Sequence, residues 1–234
     1  MEIIKVNSYE EMSQKASEIL QKQLLEKQNS VLGLATGSTP IGLYEHLIEL
    51  NKEGKISFKD VVTFNLDEYV GLERTHNQSY YYFMQEQLFK HVDIKEENIH
   101  IPSGVAEDLE AECKRYEEQL KALGPVDLQI LGVGVNGHIG FNEPGTDFSS
   151  RTHIVELDQS TREANARFFN NIDEVPTHAI TMGIQSIMDS KKILLLAFGE
   201  SKKDAIERLL SGEVTEDLPV SVLNKHSNVT VIYG

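Results

Sequence analysis

The stretch Leu131 to Gly145, LGVGVNGHIGFNEPG, carries a histidine and a glutamate among closely spaced glycines, directly behind the apolar run DLQIL. His138 and Glu143 are side chains that can move protons near neutral pH, and glycine lets a backbone approach a ligand closely. A second carboxylate, Asp67, follows the apolar run VVTFNL at once. Two further segments suit an anion. TGSTP, from Thr36 to Pro40, offers small residues and free N–H groups before a helical pattern, where the helix dipole favours negative charge. Lys202 and Lys203 open another helical pattern, a position where a cation is unfavourable by about 0.3–1 kcal/mol unless it meets an anion. Together these residues describe acid–base chemistry on a small phosphorylated molecule.

Other chemistries fit the glycine-rich stretch less well. Gly132, Gly134 and Gly137 match the spacing of a dinucleotide fingerprint, and Asp158 follows at a suitable interval. That fingerprint needs a helix to begin inside the glycine run, and Gly140, Pro144 and Gly145 prevent one. His138 and Glu143 have no second histidine at metal-ligand spacing, and no phosphate-loop motif of the NTP-binding type occurs. No cofactor is expected.

The elements that must position these residues alternate. Apolar runs at Ile3–Val6, Val31–Ala35, Val61–Leu66, Asn98–Pro102 and Val126–Val133 read as strands, as do THIVEL, THAITMG, KKILLLAFG and the closing VTVIYG. Helical patterns lie between most of them. Ser8 and Glu11 form a capping box for the first, and Ser38 or Thr39 is expected to cap the second with Pro40 in its opening turn. The tyrosine-rich SYYYFMQEQLFK reads as a helix whose aromatic stripe belongs to the core. This alternation predicts an α/β protein with a doubly wound, mostly parallel sheet and helices on both faces, forming a single domain over residues 1–234. In such sheets ligands bind outside the carboxyl ends of the strands. Ala35, Leu66, Val133 and Phe198 all lead straight into the candidate residues, so four loops should converge on one ligand.

Composition narrows the class. The chain has 234 residues, 40% of them hydrophobic, and a formal charge of −15 without a basic stripe, so a nucleic-acid partner is not expected. One cysteine, Cys113, excludes an internal disulfide. The N-terminal MEIIKVNSYEE lacks the features of a signal peptide, and no run of about 18 apolar residues occurs. The expectation is a soluble cytoplasmic protein with no membrane partner.

TGSTP, FNLDEY, LGVGVNGHIGFNEPG, ARFF at Ala166 to Phe169 and the lysine pair after FG together resemble the glucosamine-6-phosphate deaminase family, in the same order and over nearly the whole chain. The resemblance implies a Rossmann-like fold and conversion of glucosamine 6-phosphate and water into fructose 6-phosphate and ammonia, in amino-sugar catabolism, without a metal or organic cofactor. It assigns ring opening to His138, assisted by Glu143 and Asn136, and proton transfer from C2 to C1 to Asp67. It assigns the phosphate to Gly37, Ser38, Thr39, Arg167 and Lys203. Many members carry Asp where this chain has Asn136; an amide can hydrogen-bond His138 but cannot stabilise imidazolium as a charge would. Regulated hexameric members use basic residues at the positions of His153 and Val155 and extend well past Gly234. The resemblance is therefore to the shorter type, and implies a monomer without activation by N-acetylglucosamine 6-phosphate. A 6-phosphogluconolactonase and a non-catalytic sugar-phosphate sensor are the alternative readings. The first has no evident use for Asp67 as a carbon base, and the second none for an intact acid–base set.

Overall fold

The computed structural model describes residues 1–166 and 169–234. In chain order its principal elements are β1 (Glu2–Lys5), α1 (Tyr9–Glu26), β2 (Val31–Leu34), α2 (Ile41–Lys52), β3 (Val62–Asn65), β4 (Asp67–Tyr69), α3 (Tyr80–Gln87), β5 (Ile99–His100) and α4 (Leu109–Leu123). There follow β6 (Leu128–Gly132), β7 (His153–Glu156), α5 (Gln159–Asn165), β8 (His178–Thr181), α6 (Ile184–Met188), β9 (Ile193–Ala197), α7 (Lys203–Leu210) and β10 (Val229–Tyr233).

Seven strands form one sheet in the order β1-β10-β9-β6-β2-β3-β5, and every pairing in it is parallel. Its period-two pattern divides the core. Leu32, Leu34, Leu128, Ile130, Leu194 and Leu196 face α1, α2 and α3 through Met12, Leu20, Leu43, Tyr44, Leu47 and Met84. Val31, Phe64, Leu131, Ile193 and Leu195 face α4, α6 and α7 through Tyr116, Ile184, Ile187, Ile206 and Leu209. β9, ILLLA, is buried on both faces, which is why it reads as an unbroken apolar run. Each leucine so enclosed contributes about 2 kcal/mol against the entropy of ordering it.

Local signals in the sequence account for several boundaries. Ser8 Oγ accepts the Glu11 N–H at 3.1 Å, and Glu11 reaches back to the Asn7 N–H at 2.8 Å, so the predicted capping box forms one residue wider than the standard pattern. α2 differs from expectation. Pro40 sits at its N-cap position with no side-chain cap, because the Tyr9 hydroxyl takes the free Gly42 N–H at 2.9 Å. Ser38 and Thr39 are thereby left to face a cavity instead of closing a helix.

A second, three-stranded antiparallel sheet has the order β4-β8-β7. Asp67 and its neighbours are thus not merely a strand's trailing loop. After Leu66 the chain leaves the parallel sheet and pairs at once with β8, Asp67 opposite Thr181, while Met182 N–H donates to Leu66 O at 2.7 Å. The aromatic segment meets its prediction in part, since Tyr81 and Phe83 pack against the core. In α3 only Met84 is buried, whereas Tyr80, Tyr82 and Phe83 line the cavity.

Candidate active site

In the parallel sheet β2 and β6 are neighbours, yet the chain leaves β2 toward β3 on one side and β6 toward β9 on the other. The following loops separate there and open a crevice at the carboxyl ends of the strands. It holds a cavity of about 820 Å³, reached by the loops after β2, β3, β6 and β9 as expected, and walled further by α3 and α5.

No helix begins within the glycine-rich loop after β6. The loop folds back on itself instead, Gly134 N–H donating to His138 O at 2.9 Å, while Val220 N–H holds Gly137 O at 2.9 Å. Its far end is buttoned onto β8: the Asn142 amide donates to Ile139 O at 2.9 Å and Met182 O at 2.8 Å, and Phe141 N–H donates to Thr181 Oγ1 at 3.1 Å. Gly134 is needed because the His138 ring lies where a Cβ would stand, and Gly137 because its φ is +86°.

His138, Asn136 and Glu143 are brought together as predicted. Asn136 Nδ2 donates to Glu143 Oε2 at 2.6 Å, so its Oδ1 faces His138 and accepts both the ring Nδ1–H at 2.8 Å and the backbone N–H at 3.2 Å. That arrangement places the neutral imidazole's proton on Nδ1 and leaves Nε2 bare. Glu143 Oε2 also lies 3.4 Å from Nδ1. Burial alone would raise the Glu143 carboxyl, but the bond and charge of His138, the Asn136 amide and the Thr161 hydroxyl outweigh it and hold Glu143 below the usual carboxylate range. Thr161, from α5, donates to Glu143 Oε1 at 3.0 Å.

Asp67 opens on the same cavity and is only 6% exposed. Burial, then the adjacent Glu68 charge, pushes its carboxyl up from 3.8 to about 8. No hydrogen bond satisfies that carboxylate among the described residues. Beside it, Tyr69 accepts from the Asn165 amide at 2.9 Å and packs against Tyr80 and Phe141, making an apolar wall.

Gly37, Ser38 and Thr39 line the cavity as predicted, but the lysine assignment changes. Lys202 lines it; Lys203 is 60% exposed and lies 3.5 Å from Glu200. The reason is local. A 3-10 turn over Glu200–Lys202 precedes α7, so the regular helix starts at Lys203 and turns that side chain away from the loop. Burial lowers the Lys202 ammonium below its ordinary range, a cost that a bound anion would remove. Arg167 lies outside the described residues. His153 accepts no role in the cavity: it sits on β7, its ring against Arg151 O at 2.8 Å.

Sequence reading missed Thr161, Asn165 and Tyr69. Tyr69 shares the face of Asp67 because the segment is extended, which nothing local in the sequence announces. Thr161 and Asn165 carried no signal either, because their register depends on how α5 crosses the cavity.

The family model described as glucosamine-6-phosphate isomerases/6-phosphogluconolactonase matches residues 5–232. A glucosamine-6-phosphate deaminase of Lysinibacillus sphaericus is 59% identical over 234 residues, covering 100% of this chain and 99% of the relative. One from a Thermoanaerobacter species is 56% identical over 232 residues, covering 99% and 92%. A solved monomeric glucosamine-6-phosphate deaminase is 52% identical, with a TM-score of 0.97 over 100% of this chain and 97% of its own. The 6-phosphogluconolactonase of Thermotoga maritima shares the fold at 21% identity, with a TM-score of 0.77 over 99% and 98%. The acid–base residues and the anion loop thus stand in a chain matched nearly end to end, and that chain belongs to the glucosamine-6-phosphate isomerase/6-phosphogluconolactonase family.

Proposed function

We propose that this protein is a glucosamine-6-phosphate deaminase, releasing fructose 6-phosphate and ammonia from glucosamine 6-phosphate and water. One observation carries the reading: Asp67, a buried carboxylate without a partner among the described residues, shares its cavity with His138. A carbon acid needs such a base, and a cyclic sugar must first be opened by a group that can both take and give a proton, which an imidazole does. The full-length likeness to deaminases named above supports the same conclusion.

Gly37, Ser38 and Thr39 with Lys202, and Arg167 as the second cation, bind the phosphate and so fix C1 and C2. His138 acts through Nε2, taking the O1 proton and delivering one to O5 as the ring opens. Asn136 holds the Nδ1–H, and Glu143 steadies the positive charge that the imidazole carries midway. The aldehyde now at C1 acidifies C2–H. Asp67 removes that proton while O1 gains one from the substrate's ammonium, leaving an enolamine, and returns its proton at C1, giving the protonated imine of the ketose. Water adds to C2 of this imine, and nitrogen leaves as ammonia. The substrate's own ammonium, drawn beside Asp67, favours the ionised carboxylate that burial alone disfavours.

We place the protein in the cytoplasm as a monomer, consistent with the monomeric relative. Among the described residues no helix is long and apolar enough to cross a membrane. The test measures ammonia and fructose 6-phosphate formed from glucosamine 6-phosphate, beside hydrolysis of 6-phosphogluconolactone. Ammonia release by the wild type, lowered about 100- to 10 000-fold in Asp67→Asn, is expected. Lactone hydrolysis without ammonia, or turnover unaffected in Asp67→Asn, would overturn the assignment.

A further inference from the structure

A buried acid that the reaction above does not use lies next to the base. Glu68 is 2% exposed, and because side chains alternate along β4 it points away from the cavity face that Asp67 and Tyr69 share. Its carboxylate is fully engaged with backbone. Oε1 accepts the N–H groups of Tyr69 and Tyr80, and Oε2 that of Tyr81, each at 2.9 Å. Tyr80 and Tyr81 are the first two residues of α3, whose third N–H, from Tyr82, goes to Ser79 Oγ at 3.1 Å. The opening turn of α3 is therefore closed by a carboxylate from another element, twelve residues earlier in the chain.

That closure bears on the site because α3 supplies one wall of it. Ser79, Tyr80, Tyr82 and Phe83 line the cavity, and the Tyr80 ring packs on Tyr69 with centroids 4.7 Å apart. A small shift of α3 would admit water beside Asp67. The groups around the acid pair are few. Arg74, in the loop after β4, faces Glu68; Tyr69 and Tyr80 stand over both acids, Tyr116 of α4 faces Asp67, and His138 shares the cavity. Among the described residues Lys202 also shares the cavity with Asp67, and the cation facing Glu68 is Arg74. It is already engaged over the Tyr81 ring, 4.9 Å from its centroid, so the negative charge behind Asp67 is only partly offset.

We propose that Glu68 is a positioning residue for proton transfer at Asp67, pinning the first turn of α3 to β4 and placing a second buried carboxylate next to the base in the chain. This rests on the deaminase reading. Hydrogen bonding and charge act separately here: a wall held in place keeps Asp67 dry and aimed at C2, and the neighbouring charge makes it hold a proton more tightly once taken. Burial pushes the Glu68 carboxyl up from 4.5 to about 7, the three N–H donors and the Arg74 charge offsetting only part of that cost, so its charge acts on Asp67 chiefly above neutral pH.

The experiment measures kcat and KM for ammonia release from glucosamine 6-phosphate across pH 5–10, in the wild type, Glu68→Gln and Glu68→Asp. Wild-type ammonia release tests the deaminase reading by itself; the variants test Glu68. Glu68→Gln keeps one oxygen acceptor but removes the charge, so kcat should fall tenfold or more and the acidic limb of kcat/KM should move to lower pH, with KM changed less than threefold. Glu68→Asp keeps the charge but is one methylene too short to reach both peptide groups of α3, so kcat should fall with the limb at its wild-type pH. Should Glu68→Gln not fold, Glu68→Asp decides the matter, because wild-type kcat in that variant would refute the pinning. A limb that stays in place in Glu68→Gln, or moves equally in both variants, would refute the charge effect.

Discussion

Replacing Asp67 with asparagine should make the protein more stable as it destroys activity. Asp67 titrates near 3.8 in an unfolded chain and is pushed up to about 8 in the folded one, by burial first and by the Glu68 charge second. Between those two values the unfolded chain has released a proton that the folded protein keeps. The unfolded state binds fewer protons there, so stability falls as pH rises, by about 1.4 kcal/mol per pH unit. The contribution is fully present below the unfolded value and lost once pH passes the folded one. Over some four units the ceiling is about 6 kcal/mol. Local relaxation around the carboxylate relieves part of this burden, and the expected gain for Asp67→Asn at pH 8.5 is about 2–4 kcal/mol, at or above the upper end of what a single substitution usually returns.

Urea unfolding of both proteins at intervals from pH 4 to 9 measures it. The two midpoints should nearly coincide at pH 4, separate steadily above pH 5 and run parallel beyond pH 8, with asparagine always the more stable. Equal stability at pH 8.5 would refute the claim that Asp67 is held ionised at a cost. A gap of constant size at every pH would refute its electrostatic origin.

Three other outcomes follow from the site geometry. Lys202→Gln should raise KM for glucosamine 6-phosphate about 10- to 100-fold with kcat changed far less, whereas Lys203→Gln should change KM under threefold; steady-state kinetics giving equal effects would return the phosphate site to both lysines. Gly134→Ala should lower kcat at least tenfold, because a methyl there overlaps the His138 ring and forces it from its bond to Asn136, while thermal unfolding shifts only modestly; wild-type kcat would show that the ring position is not required. Asn136→Asp replaces a donated hydrogen bond to Glu143 with a carboxylate facing a carboxylate, so the pair should share a proton and the acidic limb of kcat/KM should rise by about one pH unit. An unmoved limb would refute that coupling.

The parallel sheet was legible because its strands are short apolar runs, each followed by a break and a helical period. β2, β6 and β9 needed no partner to be recognised. The small sheet was legible only in part: THIVEL and THAITMG were expected as strands and form β7 and β8, but β4 was not. β4 is three residues long, and its pairing to β8 depends on a segment more than a hundred residues away, so nothing local distinguishes DEY as a strand from DEY as a turn. The lysine assignment failed for a related reason. Successive residues in an α-helix point about 100° apart, so a helix that begins later than expected, behind a 3-10 turn, hands the cavity to Lys202 and solvent to Lys203. The stripe in α3 was legible only in part, because aromatic residues suit a core and a sugar-sized cavity equally: Tyr81 and Phe83 pack against the core, while Tyr80, Tyr82 and again Phe83 line the cavity.

Asn136 is where sequence and structure inform each other most closely. By residue type it is an uncharged substitute in a place where the family often has an acid, and the imidazolium would lose a counter-charge. The geometry supplies that charge from elsewhere: Glu143 Oε2 stands 3.4 Å from His138 Nδ1 and, against the burial that would raise it, is held below the usual carboxylate range first by His138 and then by the Asn136 amide and the Thr161 hydroxyl. An amide also has one donor end and one acceptor end. With Nδ2 committed to Glu143, Oδ1 can only accept, and the ring proton is placed on Nδ1 without ambiguity. A carboxylate at 136 could accept from the imidazole more strongly, but it would confront Glu143 with a like charge and could not hold both partners without sharing a proton. Asparagine therefore gives up some stabilisation of imidazolium and bridges Glu143 and the ring without setting a second like charge beside Glu143, leaving Nε2 free for the ring opening proposed above.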